Sequence, residues 1–120
     1  MKKITIAFDV DGTLIRNDSK ALQYGKAIAN ERIRSLLISL SSFKNVVIVV
    51  WSGGGAGYAQ HIAHQIGITK YVDAYANKNH QIDVSTPTKQ VFLPDLKPDI
   101  AIDDIQDCEL GNINLIVREK

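Results

Sequence analysis

Val46-Val47-Ile48-Val49-Val50-Trp51 is an unbroken apolar run, β-branched up to its last residue, and no other feature narrows the fold of this chain so far. A strand with one wet face alternates polar and apolar residues. A strand with no polar position on either face needs cover on both, which is the situation of a parallel sheet flanked by helices. Ile4-Thr5-Ile6-Ala7-Phe8 has the same character, with no large polar residue on either face, and is predicted to be a central strand. Between the two runs, Asn30 can cap a helix whose first turn holds Glu31. Ile33, Leu36, Leu37 and Leu40 then recur at helical spacing through about Ser42. Strand, helix and strand make a β-α-β unit.

The remainder continues the alternation. Tyr58, Ile62 and Ile66 mark one face of a helix that Gly67 can end from the C′ position. Residues 71–76 read as a short strand and residues 98–104 as another, with one or two helical turns after it and a last strand at 113–117. Between 81 and 97 no period is sustained, and Pro87, Pro94 and Pro98 discourage a long element, although 90–93 could be a short strand. The expected class is α/β, a three-layer, doubly wound, Rossmann-like parallel sheet. A chain of 120 residues, 45% hydrophobic, is one domain on size grounds, spanning 1–120. Residues 15–30 are polar and broken, with Asn17-Asp18-Ser19 as turn chemistry and Gly25 as a further breaker. They read as a loop or small hairpin flap.

Composition excludes several classes. One cysteine, Cys108, rules out an intramolecular disulfide and a cysteine-based zinc site. Met1-Lys2-Lys3 runs straight into a strand instead of a signal peptide's apolar region, and the longest apolar run is far too short to span a membrane. A soluble, cytoplasmic protein with no membrane partner is the expectation. The net charge of +1 demands no polyanionic partner, but Arg16, Lys20 and Lys26 lie close behind the first strand, where they could steer an anionic substrate.

Chemistry gathers at the strand tips. The first strand ends in Asp9 and Asp11, followed by Gly12, which lets the chain turn away; the second ends in Ser52 and the glycines Gly53, Gly54 and Gly55; a later one ends in Asp103 and Asp104. Open parallel sheets bind ligands beyond the carboxyl ends of their strands, near a switch in strand order. Carboxylates converging there repel one another, and a hard cation with oxygen ligands is the usual remedy. Magnesium fits best, because no histidine or cysteine cluster accompanies the acids. Ser52 and the following glycines offer a hydroxyl and backbone N–H groups as a phosphate cradle, without the lysine spacing of a Walker loop.

Asp9-Val10-Asp11-Gly12-Thr13 after an apolar strand, then Ser52 at the next core strand tip, then a lysine, then Asp103-Asp104, resembles the haloacid dehalogenase superfamily of Asp-dependent phosphohydrolases across nearly the whole chain. That resemblance implies a magnesium-dependent phosphomonoester hydrolase working through an aspartyl-phosphate. It makes Asp9 the nucleophile and Asp11 the general acid and base. Ser52 and the lysine would bind the transferring phosphoryl group. Magnesium would be held by Asp9, the backbone carbonyl of Asp11 and the acidic pair, with Asp104 as the direct ligand and Asp103 and Asp107 in support. The dehalogenase branch lacks the second aspartate, present here as Asp11.

Lys78, Lys89 and Lys97 all fall in the interval for the lysine. Lys97 precedes the strand ending in Asp103, which puts it roughly 20 Å away at the wrong end of the sheet. Lys78 follows a short strand and should emerge on the active side, so it is preferred, with Lys89 second. Many relatives carry a cap domain, for which this chain has no room. A capless member with an open mouth is expected, taking a phosphorylated small molecule or macromolecular end, with a neighbouring subunit able to cover the site. Two other classes compete. One is a phosphorylatable signalling or binding domain on the same fold, although receiver domains place the acceptor aspartate on a middle strand and the acidic pair on the first. The other is a nucleic-acid end-processing phosphatase, for which the flap offers basic residues but no aromatic beyond Tyr24.

Overall fold

A computed structural model of the chain describes residues 2–16, 27–78, 97–104 and 110–118. Among these, five strands form one sheet: β1 (Ile4–Asp9), β2 (Val46–Ser52), β3 (Ala74–Asn77), β4 (Ile100–Asp103) and β5 (Ile113–Ile116). Their order is β3-β2-β1-β4-β5, and every neighbouring pair is parallel. Helix α1 (Glu31–Ser41) links β1 to β2, and α2 (Ala56–Gln65) links β2 to β3. The chain first builds outward from β1 through β2 to β3, then returns to add β4 on the other side of β1. The sheet's switch point therefore lies between β1 and β4, at the tips carrying Asp9 and Asp103.

Both helices pack on one face of the sheet. Ile6 and Phe8 of β1, Ile48 and Val50 of β2, and Ile102 of β4 meet Leu37 of α1 and Ala56, Ala59, Ile62 and Ala63 of α2 in one buried cluster. The opposite face is built from Ala7, Val49, Trp51, Ala74, Ala76 and Ala101, with Leu110 packed on it. It too is buried, which is why neither β1 nor β2 alternates with polar residues. β5 differs, leaving Ile113, Leu115 and Ile116 exposed at the sheet edge.

The two helices are also tied to each other. Arg34 of α1 donates from Nε to the Ile66 carbonyl at 2.8 Å, satisfying one of the free carbonyls at the end of α2, and Gly67 follows with φ of 73°. Along the amino end of the sheet, two carboxylates close the open ladder. Asp99 accepts the Thr5 N–H at 2.8 Å, and Asp73 accepts the Ile48 N–H at 2.9 Å.

Two local expectations are corrected. The third strand begins at Ala74 rather than at residue 71, because Thr69–Tyr71 form a 3-10 turn and Asp73 is held against Ile48 before the chain enters the sheet. The Asn30 side chain makes no capping hydrogen bond to α1. Its main chain is used instead, the N–H donating to Leu14 O at 2.8 Å and the carbonyl accepting from the Arg34 N–H at 2.9 Å. Only the base of the 15–30 segment is described, where Ile15 bridges antiparallel to Ala29. The strand at 90–93, the turns after Asp104, Lys89, Asp107 and Cys108 lie outside the described residues.

Candidate active site

Strand alternation decides which groups can meet. Asp9 lies in register with Trp51, Ala7 with Ala101, and Trp51 with Ala76. Two residues on from Ala101 and Ala76 come Asp103 and Lys78, so Asp9, Asp103 and Lys78 all leave the sheet on its alanine-rich face. Lys78 is anchored there by its own N–H, which donates to the Ser52 carbonyl at 3.0 Å and extends the β2–β3 ladder past Asn77. From that point its ammonium crosses β2 to reach Asp9 Oδ1 at 3.3 Å and pairs with Asp103 Oδ2.

Asp9 is 6% exposed and Asp103 3%. Thr13, fully buried in the turn after β1, donates from Oγ1 to Asp9 Oδ2 at 3.3 Å. Gly12 permits that turn, taking φ of 79°, a region closed to most side chains. One carboxylate oxygen from each of Asp9, Asp103 and Asp104 lies within 4.8 Å of the others. Three carboxylate oxygens gathered this closely could serve as ligands to a single small cation. The donor set is oxygen alone, which suits a hard cation, and the three acids fit one.

The cost of this crowding is visible in the acid strengths. Burial first, and then the negative charge of Asp103, push the Asp9 carboxyl from 3.8 to about 7, with Lys78 opposing in part. Asp104 is raised as well, by burial and by its hydrogen bond with Asp103. For Lys78, burial disfavours the charge, but the hydrogen bond it donates to Asp103 and the charges of Asp9 and Asp103 outweigh it, so its pKa is raised and the ammonium is retained.

Asp11 keeps different company. It stands beyond the end of β1, in an isolated parallel bridge with Ile15, and its Oδ1 accepts a 2.8 Å hydrogen bond from the Tyr58 hydroxyl in the first turns of α2. Burial, then the hydrogen bond and charge of Asp11, raise the Tyr58 hydroxyl's pKa and keep it a donor. Sequence reasoning gave Tyr58 only a packing role and Thr13 none. The available signal for Tyr58 was its place one helical turn after the glycines, on the element that starts opposite Asp11.

The Ser52 loop is tighter than the expected cradle. Gly54 N–H donates to Ser52 Oγ at 3.0 Å, and Gly55 N–H to the Ser52 carbonyl at 3.1 Å. Both donors are consumed within the turn, leaving Gly53 as the glycine whose N–H makes no hydrogen bond among the described residues. Gly53 and Gly54 are exposed, and Gly55 reaches φ of 103° immediately before α2. Lys97, at the amino end of β4, is exposed and takes no part.

Within the described residues no helix is long and apolar enough to cross a membrane. No family model matches the chain, and neither the curated proteins nor the solved structures contain a match, so the reading of the site rests on its own geometry.

Proposed function

We propose that the chain is a magnesium-dependent phosphomonoester hydrolase of the haloacid dehalogenase type, working through an aspartyl-phosphate on Asp9. The observation that carries this reading is the meeting of Asp9, Asp103 and Asp104 at the switch point, with the Lys78 ammonium spanning Asp9 and Asp103. The fold reading goes with it. An all-parallel sheet ordered β3-β2-β1-β4-β5, with α1 and α2 on one face and a second buried face on which Leu110 packs, supports a doubly wound, three-layer domain without a sizeable cap.

Asp9 attacks phosphorus through a carboxylate oxygen, the ester P–O bond breaks, and Asp11 gives its proton to the departing oxygen. Water then attacks the same phosphorus, Asp11 takes the proton back, and phosphate leaves. The Tyr58 hydrogen bond occupies Asp11 Oδ1, leaving Oδ2 to carry that proton. Thr13 holds the orientation of Asp9, while Lys78 and the Gly53 N–H, near Ser52, stabilise charge on the equatorial oxygens. Magnesium, held by Asp9, Asp103 and Asp104, would neutralise the repulsion between the carboxylates and the incoming phosphate.

A panel of phosphomonoesters assayed with and without magnesium tests the proposal. At least one should be hydrolysed, only with the cation present and not by Asp9→Asn. Activity that survives chelation, or is unchanged by that substitution, would sink it.

A further inference from the structure

A cleft of about 770 Å³ opens on the helix-covered side of β4 and β5, and its chemistry differs from that of the carboxylate cluster. Its apolar surface comes from Ile33 and Leu36 of α1 with Ile102, Leu115 and Val117. Around it stand three arginines: Arg16, Arg32 and Arg118. None of them has a carboxylate partner among the described residues. Glu31, the acid that lines the cleft, faces Arg34 at 3.8 Å. The space therefore combines an apolar floor with three guanidinium groups that have no carboxylate partner among the described residues, in a volume typical of small-molecule sites.

The walls are backbone extensions of the candidate active site. Ile102 immediately precedes Asp103, and the Val117 N–H donates to the Asp103 carbonyl at 2.7 Å. Arg16 follows Ile15, whose carbonyl accepts the Gly12 N–H at 2.9 Å and whose backbone bridges Asp11. The cleft therefore opens at the carboxyl end of the sheet, on the face opposite the one from which Asp9, Asp103 and Lys78 leave it, and a ligand that used both would lie across the strand tips.

We propose that this cleft receives the non-reacting part of the substrate, and that the substrate is a small organic phosphate bearing a second phosphate on a flat or aliphatic body. The apolar floor takes the body and the arginines take the second anionic group, where planar guanidinium groups bind phosphate in a bidentate manner and stack on rings. The word substrate rests on the phosphohydrolase reading; the binding preference does not. Inorganic phosphate is too small to use the floor, and an uncharged body leaves the arginines unpaired.

Titration calorimetry on the full-length Asp9→Asn chain with magnesium tests this, using adenosine 3′,5′-bisphosphate, the two adenosine monophosphates, adenosine and inorganic phosphate as probes. The bisphosphate should bind at least about ten-fold tighter than either monophosphate, since one charge-assisted pair contributes on that order. Arg32→Ala with Arg118→Ala should remove the preference and leave inorganic phosphate binding unchanged. All three arginines are exposed, so folding is preserved, and Arg118→Gln alone should give a partial loss. Equal affinity for mono- and bisphosphate, or a preference that survives the double substitution, overturns the proposal. So does a 5′-phosphorylated decanucleotide that outcompetes the bisphosphate, which would make the ligand a nucleic-acid end. If the wild-type chain hydrolyses no phosphomonoester but keeps the arginine-dependent preference, the catalytic reading fails and the cleft stands.

Discussion

Both ends of this sheet carry aspartates, and they are used in opposite ways. At the amino end, Asp73 and Asp99 each accept a strand N–H that would otherwise be an orphan at the start of the parallel ladder. At the carboxyl end, Asp9, Asp103 and Asp104 face one another, and Asp9 is pushed up to about 7 by burial and by Asp103. A carboxylate that finds a donor stabilises the fold. Carboxylates that find each other spend stability, and such an expense is what sites that bind cations and transfer groups characteristically show. Residue type alone does not separate these roles; position relative to strand direction does.

The largest expected break in this contrast comes from Asp9→Asn. Activity should fall by about a thousand-fold or more, roughly 4 kcal/mol of transition-state stabilisation, while thermal unfolding shows stability unchanged or raised because repulsion with Asp103 is relieved. Lys78→Met should lower kcat about a hundred-fold in a steady-state assay, the usual order for one charge-stabilising donor. Asp99→Ala should do the reverse. Chemical denaturation should show a loss of about 1–3 kcal/mol for an unpaired N–H, with kcat intact. If Asp99→Ala abolished activity and Asp9→Asn unfolded the chain, the division between the two ends would be wrong.

A pH titration sharpens the same contrast. Asp9 is near 3.8 when unfolded and about 7 when folded, so between those values the folded chain holds a proton that the unfolded chain has released. Raising the pH through this window therefore favours unfolding, and the raised Asp104 acts with the same sign. The melting temperature of the metal-free protein should drop by several degrees from pH 4 to pH 7, and magnesium at pH 7 should restore it. The smallest effect belongs to Tyr58→Phe, expected to reduce kcat about ten-fold in a steady-state assay, since it removes the hydrogen bond that orients Asp11.

Much of this architecture was legible in the sequence. The runs at Ile4–Asp9 and Val46–Ser52 declare strands because burial on both faces leaves no polar position to disguise them. Asp9, Asp103, Asp104 and Lys78 were found because each follows an apolar strand in the direction that brings it to the carboxyl edge. What escaped was set by tertiary contact. The Tyr58–Asp11 hydrogen bond joins residues 47 apart, and no periodicity announces it. Ser52 Oγ is turned onto Gly54 by a local hydrogen bond that competes with the expected phosphate contact. The arginines of the cleft are scattered at positions 16, 32 and 118, and only the order of the strands gathers them.

The central claim is that the carboxyl-edge aspartates form one site for a hard divalent cation, and magnesium titration at pH 7 tests it without any knowledge of the substrate. Calorimetry in buffers of different ionisation enthalpy should show one ion bound per chain with release of protons, because Asp9, pushed up to about 7, is partly protonated until the cation arrives. Asp9→Asn should weaken binding and reduce the proton release, and Asp103→Asn with Asp104→Asn should abolish both. Absence of magnesium binding to the wild-type chain, or binding that is the same in all three forms, would contradict the account.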